Sequence, residues 1–244
     1  MAVRVLQTNL NHCARAQDLL FQSLAQWMIG IAVVAEPYSV PPRDDFMGDM
    51  DGSVALVTRA AAGVPPPTAV KKGKGYVAAL CGEIWFVATY FSPNRCLADF
   101  EQFLGEVGEL IGRLLPRPVI VAGDFNAKST AWGSPATDAK GATLEEWAVA
   151  AGLALLNEGT AHTCVRQQGG SIVDITFASA ALARRVQGWE VMVGVETLSD
   201  HRYIRFDVTT PRRPLTTQAG WTRSGVAQDG HSPNSTGNCS GRRR

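Results

Sequence analysis

The sequence lacks any run of about 18 consecutive apolar residues, the minimum for a membrane-spanning helix. Its opening meets Arg4, Gln7, Asn9 and Asn11 too soon for the apolar region of a signal peptide. A soluble, intracellular protein without a membrane partner is expected. Cysteine is scarce: the five residues Cys13, Cys81, Cys96, Cys164 and Cys239 form no C-x-x-C pair. Their odd number and wide spacing argue against both a disulfide framework and a zinc site. Charge is also thin, at 18% of residues, and the formal net charge is only +1. That balance conceals a basic tail, because 211–244 holds six arginines against the single acid Asp229. The other 210 residues then carry 17 bases and 21 acids, a net of −4. A globular DNA binder is usually basic overall, so bulk charge does not point to nucleic acid, and any such case must come from a site.

What is present is a long chain, 244 residues of which 45% are hydrophobic, enough to bury one large core. Residues 3–8 read as a buried strand. Leu19, Leu20, Leu24, Trp27 and Met28 then recur at helical spacing up to Gly30, and 30–35 is again a short apolar run. Strands are expected at 53–58, 75–81 and 84–90, the last two joined by a tight turn at Gly82-Glu83. A helix over 98–115 presents Phe100, Phe103, Leu104, Val107, Leu110, Ile111 and Leu114 on one face and stops at Pro116. A strand entering a polar loop follows at 118–126, then a helix near 143–151 and strands at 171–178, 189–193 and 202–208. This order predicts an α/β protein with two stacked sheets and helices outside. One domain over 1–210 is expected, with 211–244 too poor in large apolar residues to order itself, a disordered basic tail or linker.

Four polar clusters sit where apolar strands end. They are Asn9 with Asn11, Glu36, Asp124 with Asn126, and Ser199-Asp200-His201. Any one of them reads most simply as a turn or helix cap. Together they assemble hard oxygen ligands, amide donors and one imidazole at strand ends, where layered α/β folds build their sites. Such a set suits Mg²⁺, which takes one or two carboxylates and keeps several waters; Glu36 is the foremost ligand candidate.

The order Asn9, Glu36, Gly123-Asp124-Phe125-Asn126, Asp174 and Ser199-Asp200-His201 resembles the exonuclease-endonuclease-phosphatase family. That family includes apurinic endonucleases, pancreatic-type deoxyribonucleases, sphingomyelinases and inositol-polyphosphate phosphatases. The resemblance covers about residues 3–208. It implies a four-layer α/β sandwich of two mainly antiparallel or mixed sheets flanked by helices. The stretch from Phe125 to Ser134, with Ile172–Phe177 and Thr197–Arg202, is similar to insect-type non-LTR retrotransposon nucleases in particular. This implies a Mg²⁺-dependent enzyme, with Mn²⁺ as a substitute, that nicks double-stranded DNA in the nucleus and leaves a 3′-hydroxyl. In such elements the domain precedes a reverse transcriptase in one polyprotein. The chain holds no Tyr-x-Asp-Asp polymerase motif, so the nicking module alone is expected.

Residue by residue, the resemblance makes His201 the partner of the scissile phosphate, oriented by Asp174. Either His201 or Asp124 handles the proton of the attacking water, and Asn126 donates to phosphate oxygens. Glu36 binds the metal, with Asn9, Asn11 and Asp200 completing or supporting its shell. The family's Tyr-x-Pro-Asn appears here as Tyr90-Phe91-Ser92-Pro93-Asn94, which matches Asn94 directly but places Phe91 at the phosphate-contacting position unless a bulge restores Tyr90. Trp132 either stacks beside a base or anchors its loop. Lys71, Lys72 and Lys74 read as DNA contacts or, more simply, as a solvated hairpin. His12, His162 and His231 have no carboxylate neighbours in sequence and receive no role. Two rival functions share these residues: a phosphatase or lipid phosphodiesterase of the same fold, and a catalytically silent DNA-binding remnant.

Overall fold

The computed structural model describes residues 2–210; the segment 211–244, expected to be a tail, lies outside the described residues. In chain order the elements are β1 (Ala2–Asn9), α1 (Ala14–Gln26), β2 (Ile31–Ala35), β3 (Phe46–Gly48), β4 (Val54–Thr58), β5 (Val70–Gly73), β6 (Tyr76–Cys81) and β7 (Ile84–Tyr90). There follow α2 (Leu97–Leu114), β8 (Val119–Asp124), α3 (Ala139–Ala150), β9 (Leu153–Leu155), β10 (Cys164–Arg166), β11 (Gly169–Ser171), β12 (Asp174–Ser179), α4 (Ala180–Ala183), β13 (Val186–Val191) and β14 (Ile204–Thr209). No helix among the described residues is long and apolar enough to cross a membrane.

Two six-stranded sheets form the centre, in the orders β13-β14-β1-β2-β4-β3 and β5-β6-β7-β8-β12-β9. Each is mixed, with one parallel pair, β1 with β2 and β7 with β8, and antiparallel neighbours elsewhere. A parallel pair needs a crossover, and α1 and α2 supply the two crossovers.

Strand alternation sorts the apolar residues into three layers. Val5, Ile31, Val33, Ile84, Phe86, Ala88, Ile120 and Ala122 point between the sheets. Leu6, Ala32 and Val34 face α1, while Trp85, Val87, Val119 and Val121 face α2 and its neighbours. The same period carries polar residues to one end of the inter-sheet layer: Asn9 follows Val5 and Gln7, and Asp124 follows Ile120 and Ala122. At that end Gly123 lets β8 close on β7, since a Cβ there would lie 1.8 Å from the Thr89 carbonyl oxygen.

The expected strands and helices are present with shifted edges. Helix α3 starts at Ala139, ahead of the expected position near 143, because the Asp138 carboxylate caps it, accepting from Gly141 N–H at 2.7 Å. The strand expected at 171–178 is broken. Thr163 Oγ1 accepts from the N–H groups of both Val173 and Asp174 at 3.1 and 3.2 Å, so β12 opens at Asp174 itself. Around Lys71 and Lys72, β5 is an edge strand, with exposed lysines of the kind that protect edges.

Candidate active site

The four polar clusters and Asp174 meet at one end of the two sheets. Backbone strain marks the place. Of six non-glycine residues at positive φ among those described, Asn11, His12, Glu36, Asn126 and Leu198 lie in these loops, the sixth being Met28. Such conformations cost about 1–3 kcal/mol each and gather at functional sites.

Asn9, buried at the end of β1, is the hub. Its Oδ1 accepts the Asn11 N–H at 2.7 Å, which fixes the amide's orientation, because an N–H can face only the oxygen. Nδ2 then donates to Glu36 Oε2 at 2.9 Å and to Asp124 Oδ2 at 3.0 Å. Asn9 therefore offers nitrogen to the space between two carboxylates and holds them apart. In this geometry its oxygen is taken by the turn and only its nitrogen faces the two carboxylates. Asn11 is exposed and acts through its backbone turn.

Glu36 also accepts from the Tyr90 hydroxyl at 2.5 Å. Tyr90, and not Phe91, therefore faces the Glu36 cluster, without a bulge. Strand β7 pairs with β8 in unbroken register to Tyr90↔Asp124, and alternation sends Tyr90 to the inter-sheet side. Phe91 turns the other way, buried against Phe100 and Phe103 at centroid distances of 4.8 and 5.4 Å. Burial, with the Glu36 carboxylate as hydrogen-bond acceptor, pushes the Tyr90 phenol up, so it stays a donor.

His201 is buried, and its Nδ1 lies 2.8 Å from Asp174 Oδ2, with Asp124 Oδ2 3.9 Å from Nε2. Asp174 Oδ1 is buried without a hydrogen-bond partner. Burial favours the neutral imidazole, but Asp174, through its charge and hydrogen bond, outweighs it, and His201 is raised well above its ordinary value. Asp124 is pushed up to about 7, first by burial and then by the charge of Asp174. Its Oδ1 accepts from the Asn126 N–H at 2.9 Å, and Asn126 Nδ2 donates to the Phe91 carbonyl at 3.1 Å. Ser199 ties the histidine loop to β1, its hydroxyl donating to the Asn9 carbonyl at 2.8 Å and accepting from the His201 N–H at 3.2 Å.

Asp200 Oδ2 accepts from Arg166 Nε at 2.7 Å. Burial alone would raise its pKa, yet Arg166 and His201 bring it below its ordinary value. Asn94 is exposed, and its side chain makes no hydrogen bond to the cluster. Trp132 is 2% exposed and packed among the side chains under α2 and α3, so the stacking role considered for it is corrected: it anchors its loop and presents no face to a base. Sequence reasoning passed over His12, whose Nε2 lies 3.5 Å from Glu36 Oε1; its place in the Asn9–Asn11 turn was the available signal. Arg166 and Cys164 gave none, being more than thirty residues from Asp200 in the chain.

Residues 84–205 match the endonuclease-reverse transcriptase family. The chain belongs to this family. No curated protein matches it. Among solved structures it is similar to the endonuclease domain of TRAS1, a telomere-specific non-LTR retrotransposon. The identity is 28% and the TM-score 0.71, over 85% of this chain and 98% of that one. It shares its fold with the 3′ phosphatase NExo from Neisseria bound to product DNA hairpin, at 15% identity and TM-score 0.67 over 85% and 100% of the two chains. An AP endonuclease from Archaeoglobus fulgidus gives 12% and 0.66 over 84% and 98%. The family member thus has the α/β sandwich of these enzymes, with Glu36, Asp124, Asp174 and His201 gathered at one end.

Proposed function

We propose that the chain is a divalent-cation-dependent endonuclease. It nicks double-stranded DNA in the nucleus by phosphodiester hydrolysis and leaves a 3′-hydroxyl, the end a reverse transcriptase domain of the same polyprotein would extend. The observation that carries this reading is the buried Asp174–His201–Asp124 series, with contacts of 2.8 and 3.9 Å, beside a partly exposed Glu36.

The donor chemistry fits a hard cation. Glu36 and Asp124 both lie within 3.0 Å of one amide nitrogen, and Asp174 Oδ1 is an orphaned carboxylate oxygen. Glu36 would hold Mg²⁺, or Mn²⁺ in its place, through one carboxylate with waters filling the rest of the shell, and Asp200 would support it. When bound, the cation supplies positive charge to the scissile phosphate.

The chain's own residues do the rest. Asp124, about half ionised near pH 7, takes a proton from the water that attacks phosphorus. His201, kept protonated by Asp174, places positive charge where the phosphate oxygens gain negative charge, and Asn126 orients them. The bond from phosphorus to the 3′ oxygen breaks, and that oxygen takes up a proton from solvent. Tyr90 keeps Glu36 in place, while Asn94 on the exposed loop would contact a backbone phosphate.

Incubation with supercoiled plasmid tests this. Relaxed circles should form with Mg²⁺ and not with EDTA, and phosphoinositides should release no phosphate. Intact supercoils under both conditions would favour a silent binder, and phosphoinositide turnover a phosphatase.

A further inference from the structure

Bordering the Glu36 site and sharing Asp200 and His201 with it, the structure holds a grouping that the cysteine spacing could not reveal. Residues 163–165 and 200–202 run antiparallel. The Val165 N–H donates to the Asp200 carbonyl, and the Arg202 N–H to the Thr163 carbonyl, each at 2.7 Å, with Cys164 and His201 paired between them. Side chains directly opposed in this way lie on one face, about 5 Å apart at Cβ. Cys164 Sγ lies 3.9 Å from Asp200 Oδ2. One donor atom each from Cys164, Asp200 and His201 falls within 4.8 Å of the others.

We infer that these three residues form a thiophilic cation site that takes Zn²⁺ or a similar soft divalent ion, and that filling it stops the nuclease by withdrawing His201. A tetrahedral ion with Zn–S of about 2.3 Å and Zn–O of about 2.0 Å sets sulfur and oxygen about 3.5 Å apart. The sulfur–oxygen pair therefore needs to close by only a few tenths of an ångström. Nδ1 of His201 is taken by Asp174, which leaves Nε2 as the metal donor and gives the carboxylate-held imidazole that metal sites favour. Sulfur separates this site from the hard one, because Mg²⁺ avoids thiolate and Zn²⁺ accepts it. Binding releases the thiol proton and the Nε2 proton to solvent, water takes the fourth position, and no electrons move. Arg166 is the competitor. Its guanidinium already sits on Asp200 Oδ2 at 2.7 Å, with a side chain 65% exposed that is free to swing away.

The inhibition rests on the role given to His201 above, whereas the binding does not. Cd²⁺ is the direct probe, titrated into the full chain in excess Mg²⁺ and followed by thiolate-to-metal charge-transfer absorption. The wild type should develop this band, as should Cys96→Ser, and Cys164→Ser should lose it. Arg166→Ala, a surface change that does not threaten folding, should bind Cd²⁺ more tightly, because it frees Asp200 Oδ2. Zn²⁺ inhibition of nicking, scored against each variant's own Zn²⁺-free rate, should weaken at least about tenfold in Cys164→Ser. A Cys164-dependent band without any nicking would uphold the site and count against the nuclease reading. Equal bands in wild type and Cys164→Ser, or unchanged Cd²⁺ affinity in Arg166→Ala, would overturn the site.

Discussion

Asp124 is a group whose chemistry the fold distorts, and the distortion has a measurable cost. Its carboxyl has a pKa near 3.8 in an unfolded chain and about 7 in the native one. An acid raised in this way keeps its proton in the folded protein after the unfolded chain has released it, so stability falls as pH rises between the two values. From pH 5 to pH 8 the native group gives up about two units' worth of advantage, which at 1.36 kcal/mol per unit is about 2–3 kcal/mol. His201 acts in the same direction. Its raised pKa gives stability that is whole below about 6.5 and is lost as pH climbs through the native value. Asp200, lowered, acts the other way, but only at acid pH, where its contribution is lost as pH falls. Asp124→Asn removes the first effect and leaves the second largely in place, because Asp174 is the larger partner of His201. Urea unfolding of both proteins in EDTA at pH 5 and pH 8 isolates it. The wild type should lose about 2–3 kcal/mol more than the variant over that interval. Parallel profiles would refute the claim that burial and Asp174 hold this carboxyl protonated.

Glu36→Gln should abolish cation-dependent nicking with little change in melting temperature, and near wild-type nicking at limiting Mg²⁺ would remove Glu36 from the metal site. His201→Ala should slow single-turnover nicking by about 10² to 10⁴-fold with DNA binding little changed, and adding Asp174→Ala should slow it scarcely further if the two act as one unit. Multiplying losses would give Asp174 a separate role. Trp132→Ala should cost about 3–5 kcal/mol of stability, as expected for a buried indole, and a normal melting temperature with weakened DNA binding would restore the stacking role.

Much of this was legible because period-two alternation does double duty. The residues that pack Val5, Ile120 and Ile84 between the sheets also carry Asn9, Asp124 and Tyr90 to the open end of that layer. Tyr90 against Phe91 was decidable on that rule alone, since Ile84, Phe86 and Ala88 share the parity of Tyr90. Glu36 was visible as the first carboxylate after a buried strand. The rest was hidden for stated reasons. Lys71 and Lys72 lie in an edge strand with no apolar pattern. Helix α3 begins at a cap whose Asp138 looks like loop sequence. Strand β12 is shortened by a hydroxyl, Thr163 Oγ1, that only tertiary structure brings near. The amide orientation that makes Asn9 a spacer depends on the turn at Asn11, which spacing does not reveal.

The central claim is that these residues cut one DNA strand and leave an end that can be copied. Nicked plasmid made by the wild type in Mg²⁺, offered directly to a DNA polymerase with labelled nucleotides, tests it most closely. Label should enter at the nick without prior phosphatase treatment, and none should enter with the Glu36→Gln protein. Nicks that accept label only after removal of a 3′-phosphate, or equal labelling with Glu36→Gln, would contradict it.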